Sequence, residues 1–154
     1  MLAVTVAPRL IVTPVPAAED ARAGVGAVDW RRFESTDIAA LVRAGQVVLV
    51  DVTADWCLTC QVNKTLVLAR GEVSQRLVSG AVAAVRADWT LPSEAIQRYL
   101  SSFGRYGIPF NAVYGPGAPA GIALPELLST EVVLAAFERA GAGAPARQAV
   151  SRER

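Results

Sequence analysis

The chain has 154 residues, 53% of them hydrophobic, with 15 Lys and Arg against 14 Asp and Glu. That is enough for one good core with tails, and the near-zero charge argues against a nucleic-acid footprint, which needs a basic excess on one face. There is no histidine, the only cysteines are Cys57 and Cys60, and no run of about 20 apolar residues could span a membrane.

Met1 to Pro16 is apolar but broken by Pro8, Arg9, Pro14 and Pro16, with no cationic lead before an unbroken apolar stretch, so it makes a poor signal peptide. Ala17 to Val28 is Ala- and Gly-rich and reads as linker. Residues 1–28 are therefore expected to be a flexible leader, either the linker to a preceding segment or a simple unstructured one. Trp30 and Phe33 are expected to be the first residues docked on the core. A helix follows, capped by Ser35 or Thr36, with Asp37 in its first turn, Ile38, Leu41 and Val42 as its apolar stripe, and Gly45 at its end.

Val47 to Thr53 reads as a strand buried on both faces, as in a parallel sheet. Asp51 interrupts it. A carboxylate within a central strand is costly unless protonated or paired; the other reading is an Asp near a strand end that points to solvent. The strand runs into a turn and a Cys-x-x-Cys placed where a helix begins. A helix start has unpaired N–H groups and a positive partial charge, which lower a thiol's pKa. The spacing sets Cys60 one turn from Cys57 on the same face, within reach of a disulfide. Zinc wants about four ligands, and no histidine or third cysteine exists to complete a set. A structural disulfide closing so short a loop would add little stability. Two readings stand: a two-electron redox switch, or a two-thiolate Cu(I) site.

From Cys57 the helix is expected to run towards Arg70, with Val62, Leu66 and Ala69 at helical spacing, and Gly71 to break it. Glu72 to Ser79 forms a second piece facing Val73, Leu77 and Val78 inward. Ala81 to Ala87 reads as a parallel strand, since a helical crossover precedes it, and Asp88-Trp89-Thr90 closes it. Trp89 reads as a core or edge aromatic. Pro92, Ser93 and Glu94 open a helix with Ile96, Leu100 and Phe103 as its stripe and Gly104 at its end. After Gly107-Ile108-Pro109-Phe110 come a strand over Asn111 to Tyr114, a turn over Gly115 to Gly121, and a hairpin partner over Ile122 to Leu124, so the sheet is mixed. Ser129 caps the last helix, which buries Val133, Ala136, Phe137 and Ala140. Residues 141–154 are expected to fray.

Thr53-Ala-Asp-Trp-Cys57-Leu-Thr-Cys60-Gln-Val-Asn63, Ala87-Asp-Trp-Thr90 and Gly107-Ile-Pro109 together resemble the thioredoxin-like C-terminal domain of DsbD/ScsB-type membrane thiol:disulfide interchange proteins, over about Trp30 to Ala140. The resemblance implies a thioredoxin-like α/β fold over residues 29–140, a mixed central β-sheet with helices on both faces. It implies a protein-disulfide reductase in which Cys57 attacks, Cys60 resolves and Asp51 serves as proton acceptor and donor. Pro109 would follow a cis bond and shape the docking edge with the backbone of Ile108, the alternative being a trans proline opening an edge strand. Trp56 would shield the pair, and Asp55, Trp56 and Ile108 would meet the partner. Reducing equivalents would arrive from a membrane electron-transfer domain of the same protein and pass to extracytoplasmic thiol-disulfide proteins. The domain would be a monomer tethered at the periplasmic face of the inner membrane. The cofactor expected is none beyond the redox-active Cys57–Cys60 disulfide, and no metal. A soluble cytosolic thioredoxin is the rival within the same chemistry. The sequence departs from the family at Lys64, its only lysine, where an acidic residue is frequent. Lys64 either faces the thiols, favouring the thiolate, or lies on the solvated side of its helix.

Overall fold

In the computed structural model, which describes residues 27–142, the β-branched run Val47–Thr53 is the middle strand of a five-stranded sheet. The chain runs through β1 (Trp30–Arg32), a 3-10 turn, α1 (Ile38–Arg43), β2 (Val47–Thr53) and α2 (Leu58–Asn63), which continues as a π-helical turn over Lys64–Leu68. It then forms α3 (Gly71–Val78), β3 (Val82–Asp88), α4 (Glu94–Ser102), β4 (Phe110–Gly115), β5 (Ala118–Ala123) and α5 (Thr130–Gly141). The strand order is β1-β3-β2-β4-β5. β1, β3 and β2 run parallel, whereas β4 is antiparallel to β2 and β5 to β4. This is the thioredoxin-like mixed sheet expected. The leader expected over 1–28 lies almost wholly outside the described residues, as does the tail beyond 142.

Alternation along the strands sorts side chains to two cores. Val48, Val50 and Val52 of β2, with Val85 and Ala112, pack against Ile96 and Leu100 of α4 and Val42 of α1. Leu49, Ala84 and Val113 face the other way, against Val67 and Leu68 of the π turn, Val73 and Leu77 of α3, and Phe137 of α5. Fully burying one such side chain contributes about 1.5–3 kcal/mol, so a strand apolar on both faces belongs in the centre.

Several local expectations need correction. The cap of α1 is Asp37, whose Oδ1 accepts the Ala40 N–H at 2.8 Å; Ser35 and Thr36 instead donate to the Arg32 carbonyl. Trp30–Arg32 forms an edge strand too short to show periodicity. The hairpin turn is only Pro116-Gly117, since β5 already starts at Ala118. The stripe Val62 and Leu66 points outward, both side chains being exposed. The buried face is instead Cys60, Asn63 and Val67, at ordinary helical spacing on the opposite side, with Leu68 added at the end of the π turn. Gly141, expected to fray, closes α5.

The hairpin clamps the end of α5: Gly117 N–H donates to the Ala140 carbonyl at 2.9 Å. A Cβ on Gly115 would meet that carbonyl inside van der Waals contact. Gly115→Ala is therefore expected to lower stability by about 1–3 kcal/mol, the usual range for overpacking. The change should appear as a lower urea midpoint, and an unchanged midpoint would show that α5 yields freely.

Candidate active site

β2 delivers the chain to a pair of sulfurs. Beyond Thr53, the Ala54 carbonyl accepts the Cys57 N–H at 3.2 Å, a turn that leaves Cys57 with extended backbone as the N-cap of α2. There its Sγ accepts the Cys60 N–H at 3.2 Å, one of the donors that a helix start leaves free. The two sulfurs form a disulfide, with Cα atoms 5.3 Å apart. Cys57 is 6% exposed and Cys60 1%. Both residues are nearly covered while oxidised. Ala54 and Ile108 are the apolar side chains against the pair, and the Ile108–Pro109 bond is cis.

Trp56, expected to shield the sulfurs, is 62% exposed and lines a groove with Trp89, Thr90, Pro92 and Gln97. The Asp-Trp-Thr segment holds this arrangement. Thr90 donates through its N–H and hydroxyl to Asp88 Oδ1, and Thr90 Oγ1 accepts the Asp55 N–H at 3.0 Å. These bonds from Thr90 keep the Asp88 carboxyl below its usual range. Trp89 itself is half-buried against the α4 core. Asp55 thus reaches the loop through its backbone, with its side chain exposed.

Asp51 is buried, not turned to solvent. Register sets Arg86 of β3 opposite it on one side and Asn111 of β4 on the other. Arg86 Nε donates to Oδ2 at 3.4 Å and Asn111 Nδ2 to Oδ1 at 3.0 Å. Arg86 also stacks on Trp30, its Cζ 3.8 Å from the ring centroid, so edge strand β1 fixes the cation. Burial nevertheless raises the Asp51 pKa, outweighing the lowering by Arg86, Asn111 and Lys64. Asn111 Oδ1 and Thr53 Oγ1 are buried without protein partners. An amide can serve either protonation state: Nδ2 donates to the carboxylate, and after a flip Oδ1 would accept from the acid. Lys64, at the start of the π turn, is half-buried, and its charge acts on Asp51 and Asp88.

Sequence reasoning missed Arg86, Asn111, Thr90 and Asn63. Arg86 and Asn111 were detectable as polar residues at inward positions of otherwise apolar strands. Asn63 is buried beneath the active-site helix and lay between residues assigned to an apolar stripe. Among the described residues, no group of three or more His, Cys, Asp or Glu converges as metal ligands, and no helix is long and apolar enough to cross a membrane.

A family described as thioredoxin-like matches residues 29–116. Among solved structures, the chain is similar to the reduced C-terminal domain of DsbD from Neisseria meningitidis, with 23% identity and a TM-score of 0.51 over 66% of this chain and 87% of that one. It is also similar to a thioredoxin from Thermus thermophilus, with 20% identity and a TM-score of 0.54 over 71% and 84%. A DsbH oxidoreductase shares 14% identity and a TM-score of 0.53 over 86% and 95%. At these identities the likeness speaks for the fold alone. Among curated proteins, none matches the chain by sequence.

Because burial raises the Asp51 pKa, the folded chain binds that proton more tightly than the unfolded one. Stability associated with it is complete below the unfolded pKa, about 3.9, and is lost as pH rises through the folded value. Asp51→Asn is expected to raise the melting temperature at pH 7, with the gain shrinking towards pH 4. A melting temperature lowered at pH 7 would mean that the Arg86 pair outweighs the burial.

Proposed function

The chain belongs to the thioredoxin-like family, and from that premise we propose that it is a protein-disulfide reductase working by dithiol–disulfide exchange. The observation that carries this reading is the Cys57–Cys60 disulfide at the start of α2, with the Cys60 N–H directed at Cys57 Sγ. Once the pair is reduced, that donor stabilises a Cys57 thiolate. The thiolate attacks one sulfur of a partner disulfide, forming a mixed disulfide and releasing the partner's other sulfur as a thiolate. Asp51 takes the Cys60 proton. Cys60 then attacks Cys57 Sγ, closing the internal disulfide and releasing the second partner sulfur. Two electrons pass to the partner, whose two thiolates take up protons. Burial raises the Asp51 pKa, which suits the carboxyl to hold a proton it accepts. Pro109 and the backbone of Ile108 border the sulfurs where the partner chain enters, and Trp56 and Asp55 lie on the adjacent rim.

The motif resemblance supports a finer reading. The domain receives reducing equivalents from a membrane electron-transfer domain of the same protein and passes them to extracytoplasmic thiol-disulfide proteins, at the periplasmic face of the inner membrane. The dithiol chemistry uses no cofactor beyond the cysteine pair.

Reduced protein should reduce insulin, with iodoacetamide labelling Cys57 first. Cys57→Ser should abolish reduction, and Cys60→Ser should accumulate mixed disulfides. Faster labelling of Cys60 would reverse the assigned roles, and a reduced protein that binds Cu(I) tightly but leaves insulin intact would favour copper binding. Labelling of Cys57 by a membrane-impermeant maleimide in intact spheroplasts of the native host is expected; labelling only after lysis would place the domain in the cytosol.

A further inference from the structure

Trp30 opens the edge strand β1, which is only three residues long and has no part in the exchange steps above. Parallel pairing sets Trp30 opposite Ala84 and Arg32 opposite Arg86. Alternation then puts Trp30, Ala84 and Arg86 on one face of the sheet, the face that also carries Leu49 and Asp51. Trp30 packs against the core on that face, and its ring lies on the guanidinium, with Arg86 Cζ 3.8 Å from the centroid.

Arg86 needs that support. Its guanidinium reaches Asp51 through one hydrogen bond, from Nε to Oδ2 at 3.4 Å, longer than the usual N–H···O range. The arginine side chain is 31% exposed against 3% for the aspartate, and so long a side chain regains much rotamer freedom by letting go. Glu34 and Asp88 border the same cleft and offer the cation other carboxylates, beside the cations of Arg31 and Arg32. No other charge can take its place at Asp51. Asn111 on β4 is neutral, and Lys64 of the π turn lowers the Asp51 pKa less than Arg86 does. The ring is what favours the inward position. An indole face attracts the cation and keeps water from one side of the pair, where the Coulomb attraction is then less diluted.

We infer that Trp30 is a positioning residue for dithiol exchange: its ring clamps the Arg86 guanidinium on Asp51 and so keeps a charged acceptor for the Cys60 proton. This rests on the exchange reading and deepens it. In the step concerned, the Asp51 carboxylate takes the proton of the Cys60 thiol, and the electron pair left on that sulfur attacks Cys57 Sγ. Without the ring the guanidinium swings outward, and burial acts on the carboxyl with less opposition. Asp51 then stays protonated to higher pH. A protonated Asp51 cannot take the Cys60 proton, so exchange slows first at the acidic end.

The test follows Asp51 itself, by NMR titration of its carboxyl carbon in oxidised protein, where no thiol titrates alongside. Trp30→Leu keeps an apolar side chain on the core and removes the ring, whereas Trp30→Phe keeps a weaker ring. The Asp51 midpoint should move to higher pH in Trp30→Leu, with Trp30→Phe between it and wild type. Insulin reduction by Trp30→Leu should be several-fold slower below neutrality and approach the wild-type rate above it. In an Arg86→Gln background, Trp30→Leu should add no further shift, because the ring has no cation left to hold. A midpoint unchanged by Trp30→Leu overturns the inference, as does an equal shift with Arg86 already replaced. A rate loss that is the same at every pH overturns it too, since it would show a merely structural role. Should Trp30→Leu fail to fold, an unchanged midpoint in Trp30→Phe is decisive against it. A wild-type protein inert towards insulin would instead remove the exchange reading, and this use of Asp51 with it, whatever the carboxyl titration shows.

Discussion

The structure depends on one awkward placement, a carboxylate in the middle of its central strand. Asp51 sits two residues before the end of β2, between Arg86 and Asn111 on the strands to either side. An isolated buried charge would cost several kcal/mol, so both neighbours must present polar groups at one register position. A slip of one residue in either strand would turn that group to the opposite face and replace it with an apolar one. The polar triad therefore specifies the register of three strands, including the antiparallel one. Trp30 extends the constraint to β1, because its ring braces the guanidinium that faces Asp51.

The same placement brings fold and chemistry together. Asp51 and Thr53 lie at the strand end that leads through a short turn to Cys57, so one stretch of backbone sets both the acid and the disulfide. Asp88 and Thr90 do the equivalent on β3, tying the backbone at Asp55 to the next strand through side-chain bonds. The active-site turn is thus held by parallel strand ends, where such sheets place their ligand crevices. On the other side of the sulfurs, Ile108 and Pro109 lead directly into β4.

The apolar strands, the Ser93 and Ser129 caps and the Cys-x-x-Cys turn were legible because each is a local pattern with a local cause. The buried acid was legible as a conflict, a charge in an apolar run, but its partners were not, since parallel pairing with β3 depends on contacts 35 residues away. The active-site helix was misread for a different reason. Val62 and Leu66 have helical spacing with one another, yet the buried face is that of Cys60, Asn63 and Val67, which lies on the opposite side of the helix. The spacing alone does not say which of the two faces turns inward. The signal was Asn63, a polar residue whose burial makes sense only if another backbone comes to meet it.

Two influences could set the reactivity of Cys57, and their sizes decide between them. Lys64 is the residue by which this chain departs from the pattern it resembles, but it is half-buried and makes only a minor lowering contribution to the pKa of Asp51 and Asp88. An exposed or partly exposed charge acting across a helical turn contributes a few tenths of a kcal/mol once screened. The Cys60 N–H lies within hydrogen-bond distance of Cys57 Sγ, and a bond to a charged acceptor contributes about 1.5–3 kcal/mol. The thiolate is accordingly governed by the backbone of its own turn. Lys64 acts one step away: together with Arg86 it limits how far burial raises the Asp51 pKa.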